Sequence, residues 1–149
     1  MKIHAQNKKA RFHYEIQGET EAGISLQGWE VKSIKSGAVS IKESFVKFGG
    51  NEVFLTGMHV SPWKFAGGDF EIDELRERKL LLNKEEVNRL MAVQKGKGLA
   101  IIPLKIYSNN RGIIKVLLGT GKGKKKYDKR AKLKEKVQKR EIERDLKEG

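Results

Sequence analysis

The chain has 149 residues, no cysteine, 34% charged residues and a formal net charge of +13. One domain plus a tail is the simplest plan for that length, a polyanionic partner suits the charge, and disulfides, thiolate zinc sites and cysteine nucleophiles are excluded. No run approaches the roughly 18 apolar residues of a membrane-spanning helix, and the opening MKIHAQNKKARF lacks an apolar signal core, so a cytoplasmic protein that uses no membrane is expected.

Met1–Arg11 is short, polar and basic, and reads either as a frayed terminus or as an RNA-contacting arm. From Phe12 the pattern turns β-like. His13–Ile16 and Gly23–Leu26 flank a polar Gln17–Ala22 segment, which predicts a hairpin or a short connection. GWEVKSIKSG follows, with Trp29, Val31 and Ile34 poorly spaced for a strand. It predicts a short helix stopped by Gly37.

Ser44–Phe48 and Glu52–Met58 alternate in polarity around Gly-Gly-Asn and predict a hairpin. Pro62 ends the second run, and Trp63–Arg78 reads as a long loop. Lys79–Leu82 is a short strand. Asn83 caps a helix that begins at Lys84, with Glu85 and Glu86 in its first turn and Gly96 as its stop. Leu99–Tyr107 and Gly112–Leu118 form a second strand pair across SNNR, with Pro103 requiring an edge or a bulge.

The elements add up to a mainly β chain. A closed antiparallel barrel of the oligonucleotide-binding type (OB-fold), with about six strands and two or three helices, hides the edges of such a sheet. Residues 1–118 form this barrel and 119–149 a basic tail. That tail holds 13 Lys and Arg against 6 Asp and Glu, too much like charge for the few apolar residues beside it, so it orders only against a polyanion. Gly119–Lys126 reads as a flexible basic joint. A helix from about Asp128 to Lys147 would set Leu133 four residues from Val137, and Ile142 four from Leu146.

Catalytic signatures are absent. His4, His13 and His59 lack metal-ligand spacing, no GxSxG elbow occurs, and GTGKGKKK fails the phosphate-loop pattern. No catalytic residue, metal or cofactor is assigned. Lys8, Lys9, Arg11, Lys32, Lys35, Lys105 and Lys115 distribute positive charge over the barrel, which supplies phosphate attraction. Trp29 and Trp63 are candidates either for stacking on unpaired bases or for the core. Three functions remain: an RNA-delivery factor, a structural ribosomal or assembly protein, and a small RNA nuclease or modifying enzyme.

NKKARFHYEI, EAGISLQGWEVKSIKSG, LTGMHVSP, RKLLLN, PLKIY, KVLLG and GKGKKKYDKR resemble, in order from about Asn7 to Leu146, the SsrA-binding protein (small protein B, SmpB) family of bacteria. The resemblance implies an RNA-binding factor of ribosome rescue rather than an enzyme. Such a factor binds the tRNA-like domain of transfer-messenger RNA (tmRNA), one protein per RNA. With elongation factor Tu it brings that RNA to the small-subunit decoding centre of a ribosome stalled without a codon, and the nascent peptide is tagged for degradation. By the resemblance, Glu21, Leu81, Asn83 and Lys115 face the RNA. Asn7, Lys8, Lys9 and Arg11 add phosphate contacts, and Lys32, Lys124 and Lys125 extend the basic surface. Tyr127, Asp128, Lys129, Arg130 and Ile142 belong to a tail that turns helical in the vacant messenger channel. The sequence departs from the family where Gly37-Ala38-Val39 stands for the more usual Gly-Lys-Ala.

Overall fold

A computed structural model describes residues 1–62, 72–96 and 98–124. Among these residues nine strands and three helices run in the order β1 (Lys2–Gln6), α1 (Ala10–His13), β2 (Tyr14–Ile24), α2 (Gly28–Lys35), β3 (Val39–Ser40), β4 (Phe45–Gly49), β5 (Glu52–Thr56), β6 (His59–Val60), β7 (Arg78–Leu81), α3 (Lys84–Lys95), β8 (Leu99–Ser108) and β9 (Ile114–Gly123). Seven strands form one sheet in the order β1-β8-β9-β2-β7-β5-β4, and β3 pairs with β6 in a second. Every pairing is antiparallel. The main sheet curls, so that β4, at its far edge, comes back against β8. The hydrogen-bonded ladder leaves β1 and β4 as its two ends.

The core lies on the concave face. Ala22 and Ile24 of β2, Val53 and Leu55 of β5, Leu80 of β7, Ile106 of β8 and Val116 and Leu118 of β9 alternate inward, as a half-buried sheet requires. Ile34 of α2 and Leu90 of α3 are fully buried in the same cluster. A side chain of that size contributes about 1.5–3 kcal/mol when removed from water. A smaller cluster of Ala10, Ile102 and Leu104 lies on the other side of the sheet, where α1 packs against Tyr14, Ile16 and Leu117.

Local chemistry explains the helices. Gln27 and Glu30 form a reciprocal capping box at the start of α2, and Gly37 takes φ +87 just beyond its end, a conformation that side chains resist. At α3, the Asn83 side chain accepts a hydrogen bond from the Glu86 backbone N–H at 2.8 Å. The hairpin of β4 and β5 forms at the expected residues. Pro103 sits at a register shift between β8 and β9, where a ladder tolerates its missing N–H.

Four expectations change. The N-terminus is neither frayed nor a free arm, because Lys2–Gln6 pairs with the outer edge of β8 and satisfies its backbone there. Gln17–Ala22 is not a turn. β2 runs from Tyr14 to Ile24 with a bulge between Ile16 and Gly18, and Glu15, Gln17, Glu19 and Glu21 are its exposed members. The described residues hold nine strands rather than about six. Finally, Gly119–Gly123 is not a loose joint: β9 continues to Gly123, held between Tyr14–Glu19 of β2 and Leu99–Ile102 of β8. Gly121 shows why glycine stands there, since an added Cβ would come within 2.5 Å of the Glu15 carbonyl oxygen.

Candidate nucleic-acid interface

The convex face of β7, β2, β9 and β8 carries three of the candidate residues, Glu21, Leu81 and Lys115, and strand register puts them together. Leu81 pairs with Gly23, Gly23 with Lys115, and Lys115 with Tyr107, which makes one row across four strands. The next row on that face is Glu21, Leu117, Lys105 and Gln6. Residues directly opposite in a ladder share a face, and Glu21 lies two residues from Gly23, so both rows open to the same side. Glu21, Leu81 and Lys115, separated by up to 94 positions in sequence, therefore share one surface.

Gly23 makes room for this arrangement. A Cβ there would lie 3.1 Å from the Cβ of Leu81, so Leu81 occupies the space above the bare backbone. Leu81 is 53% exposed although apolar, an exposure that suits contact with a partner. Tyr107 is 4% exposed, and its hydroxyl donates a short hydrogen bond to Glu21 Oε2. Burial, and then the adjacent Glu21 carboxylate, push the phenol above its ordinary pKa, so it remains a donor at neutral pH. The Lys105 ammonium sits 5.5 Å from the centre of the Tyr107 ring, within cation–π range. Lys115 makes no ion pair among the described residues.

The N-terminal basic segment borders this face. A cleft of ≈ 140 Å³ is lined by Asn7, Lys8, Arg11 and Glu19 on one side and by Lys105 and Leu117 on the other. Arg11 pairs with Glu19 at 2.8 Å, with both side chains largely exposed. Asn7 is committed to the fold, its backbone N–H donating to the Leu104 carbonyl at 2.8 Å and its amide to the Pro103 carbonyl at 3.4 Å. Lys8 and Lys9 are exposed. Lys124 closes the last strand against this segment, its backbone N–H donating to the His13 carbonyl at 2.9 Å and its ammonium to the Arg11 carbonyl at 2.8 Å.

Other candidates fall elsewhere. Asn83 follows β7 immediately, with its side-chain oxygen spent on the cap of α3. Lys32 is exposed on α2, outside the four strands of the face. Trp29 is half-buried, packs against the core and donates its indole N–H to Gln27 at 2.7 Å. Trp63, Lys125, Tyr127, Asp128, Lys129, Arg130 and Ile142 lie outside the described residues.

The sequence reading missed Tyr107 and Gly23 as parts of this surface. A signal for Tyr107 existed: it lies directly across the ladder from Lys115, inside a strand pair that the sequence itself suggests.

The histidines remain apart. His4 contacts the Ser108 hydroxyl, His13 meets Phe12 edge to face at 5.2 Å, and His59 is 2.6 Å from Glu74. Among the described residues no group of three or more His, Asp or Glu could hold a metal ion, and no helix is long and apolar enough to cross a membrane.

This geometry can be set beside known proteins. The model of the family described as SmpB protein matches residues 4–148. The SsrA-binding protein of Bacillus subtilis (strain 168) is 52% identical over 148 residues, covering 99% of this chain and 94% of that protein. The SsrA-binding protein of Listeria welshimeri is 49% identical over 147 residues, with the same coverage. A chain in a solved structure described as "tmRNA-SmpB: a journey to the center of the bacterial ribosome" superposes with a TM-score of 0.66 at 45% identity, over 81% of this chain and 84% of that one.

Proposed function

The chain belongs to the SmpB protein family, and from that membership we propose that it is an RNA-binding factor of trans-translation, capturing tmRNA through the convex face of β7, β2, β9 and β8. The observation that carries this reading is the row Leu81–Gly23–Lys115, flanked by Glu21. It sets an exposed apolar side chain, an unpaired ammonium and a hydrogen-bonding carboxylate side by side. Folded RNA is read at unpaired loops and along its backbone, because side chains cannot enter the deep major groove of A-form helices. Lys115, Lys105, Lys8 and Lys9 supply phosphate attraction, while Leu81 and Glu21 contact splayed bases. Asn83, Arg11 and Lys124 border that surface, and Lys32 and Lys125 add long-range charge.

The curled sheet, with its shared core and β4 brought back to β8, serves as an oligonucleotide-binding-like barrel. It delivers the RNA, with elongation factor Tu, to a stalled ribosome. The segment 125–149, which includes Tyr127, Asp128, Lys129, Arg130 and Ile142, enters the vacant messenger channel and folds on ribosomal RNA. Messenger in the channel would exclude it, which links helix formation to an empty channel. The charge of that segment supports the assignment.

A gel-shift titration tests the reading. Binding to the isolated tRNA-like domain should persist at moderate salt and survive competitor tRNA. Equal affinity for every structured RNA would overturn it in favour of a general ribosomal or assembly protein.

A further inference from the structure

The Tyr107–Glu21 contact lies outside the two hydrophobic clusters. Glu21 is exposed on β2, whereas Tyr107 is almost wholly covered and offers only its hydroxyl to that carboxylate. The surroundings make the contact consequential. Lys115 stands across from Gly23, so it is the diagonal neighbour of Glu21 on one face. Diagonal positions are about 7–8 Å apart between backbones, within reach of long side chains. A carboxylate left to itself beside that ammonium would pair with it. Yet Lys115 forms no ion pair among the described residues, and Glu21 Oε1 has no partner there either.

Resting on the reading of this face as the RNA surface, we infer that Tyr107 is a positioning residue: its hydroxyl holds Glu21 away from Lys115, so that one carboxylate oxygen stays available to donor groups of the RNA and the ammonium to a phosphate. Both groups are needed for different tasks. A carboxylate accepts hydrogen bonds only, so on an RNA surface it meets base N–H groups or 2′-hydroxyls and repels phosphates. An ammonium neutralised by that carboxylate releases no counterion when RNA binds. Without the phenol the two cancel each other. The covered ring keeps the hydroxyl at a fixed place, and its raised pKa keeps the proton on it.

Tyr107→Phe, Glu21→Gln and the double variant test this in the full-length protein, by titrating the isolated tRNA-like domain at several salt concentrations. Tyr107→Phe keeps the buried ring, so its thermal midpoint should stay near that of the wild type. Its affinity should fall roughly fivefold to tenfold, the size expected for the net contribution of one typical hydrogen bond. The slope of log affinity against log salt should shrink by about one phosphate contact. A tyrosine that only supported the strand would leave that slope unchanged. In the Glu21→Gln background the neutral amide cannot neutralise Lys115 in an ion pair, so adding Tyr107→Phe should change neither affinity nor slope. The inference is overturned if Tyr107→Phe matches the wild type, or if it weakens binding equally in both backgrounds. If Glu21→Gln alone binds as tightly as the wild type, the placement of Glu21 on the RNA surface fails, and the inference with it.

Discussion

Glu30 and Arg78 meet in the core with neither side chain exposed, and Arg78 Nε donates to Glu30 Oε2 at 2.6 Å. The arginine also donates to the Met58 carbonyl at 2.7 Å. The other carboxylate oxygen of Glu30 accepts from the Gln27 backbone at 2.7 Å and from Arg76 at 2.5 Å. The glutamate of GWEVKS is therefore structural, tying α2 to the strand that leads into Leu81 and Asn83. Its burial is tolerable only because each charge is met. Glu30→Ala should cost about 3–5 kcal/mol, the loss typical when one member of a buried pair is removed. Glu30→Leu combined with Arg78→Met should cost less than either substitution alone. Urea unfolding midpoints measure both, and equal or additive losses would show that the pair is not coupled.

Stability should decline toward acid in two steps. Burial, then Lys2 and Lys35, hold the His4 pKa below its ordinary 6.5. Its unfolded form thus takes up a proton before the folded one does. Stability from this group is complete above pH 6.5 and lost as the pH falls through the folded value. Glu30 has the same sign. Burial raises its pKa, but hydrogen bonds from Arg76, the Gln27 backbone and Arg78 outweigh that and leave it below 4.5, so its contribution fades in more acidic solution. Thermal midpoints from pH 8 to pH 4 should bend below 6.5 in the wild type and stay flatter over that first step in His4→Gln.

Gly23→Val should weaken tmRNA binding while leaving the core intact. A Cβ at residue 23 would lie only 3.1 Å from the Leu81 Cβ, so valine would push Leu81 out of its place on the proposed RNA face. A loss of roughly tenfold, about 1.4 kcal/mol, is expected. Filter binding alongside a thermal melt separates this from misfolding, since Gly23 points away from the buried cluster.

Lys115→Ala and Lys32→Ala should differ. Lys115 lies in the row that carries Leu81 and Gly23, so its loss should reduce the salt slope of binding by about one. Lys32 sits on α2 outside that face, and its loss should leave the slope close to the wild-type value. Reversed results would relocate the interface.

Truncation should locate the end of the folded body. A chain ending at Lys126 keeps all of β9 and the Lys124 contacts to Arg11 and His13, so it should bind the tRNA-like domain nearly as well as the full chain but fail to support peptide tagging on stalled ribosomes. A chain ending at Leu118 loses five strand residues, four of them paired on both sides, and should melt at a markedly lower temperature. Equal midpoints for the two truncations would show that Gly119–Gly123 adds nothing to the fold.

The sequence by itself determined the class of the chain, the β4–β5 hairpin, the caps at Asn83 and Gly37, the need for an edge or a bulge at Pro103 and the motifs of the family. Each depends on local chemistry: an alternation of polarity, a side-chain cap, a conformation open only to glycine, a missing N–H. Only the tertiary structure decided the rest. β1 has too few apolar residues to announce a strand and exists because β8 has an edge to pair. The polar residues of β2 resemble a turn until the sheet supplies their buried alternates. Gly119–Gly123 looks like a hinge because glycines are common in hinges, whereas here Gly119 makes room for the Leu104 side chain and Gly121 for the Glu15 backbone. The meeting of Tyr107 with Glu21, and of Leu81 with Lys115 across Gly23, depends on strand register, which is fixed when distant segments pack and which no short stretch of sequence encodes.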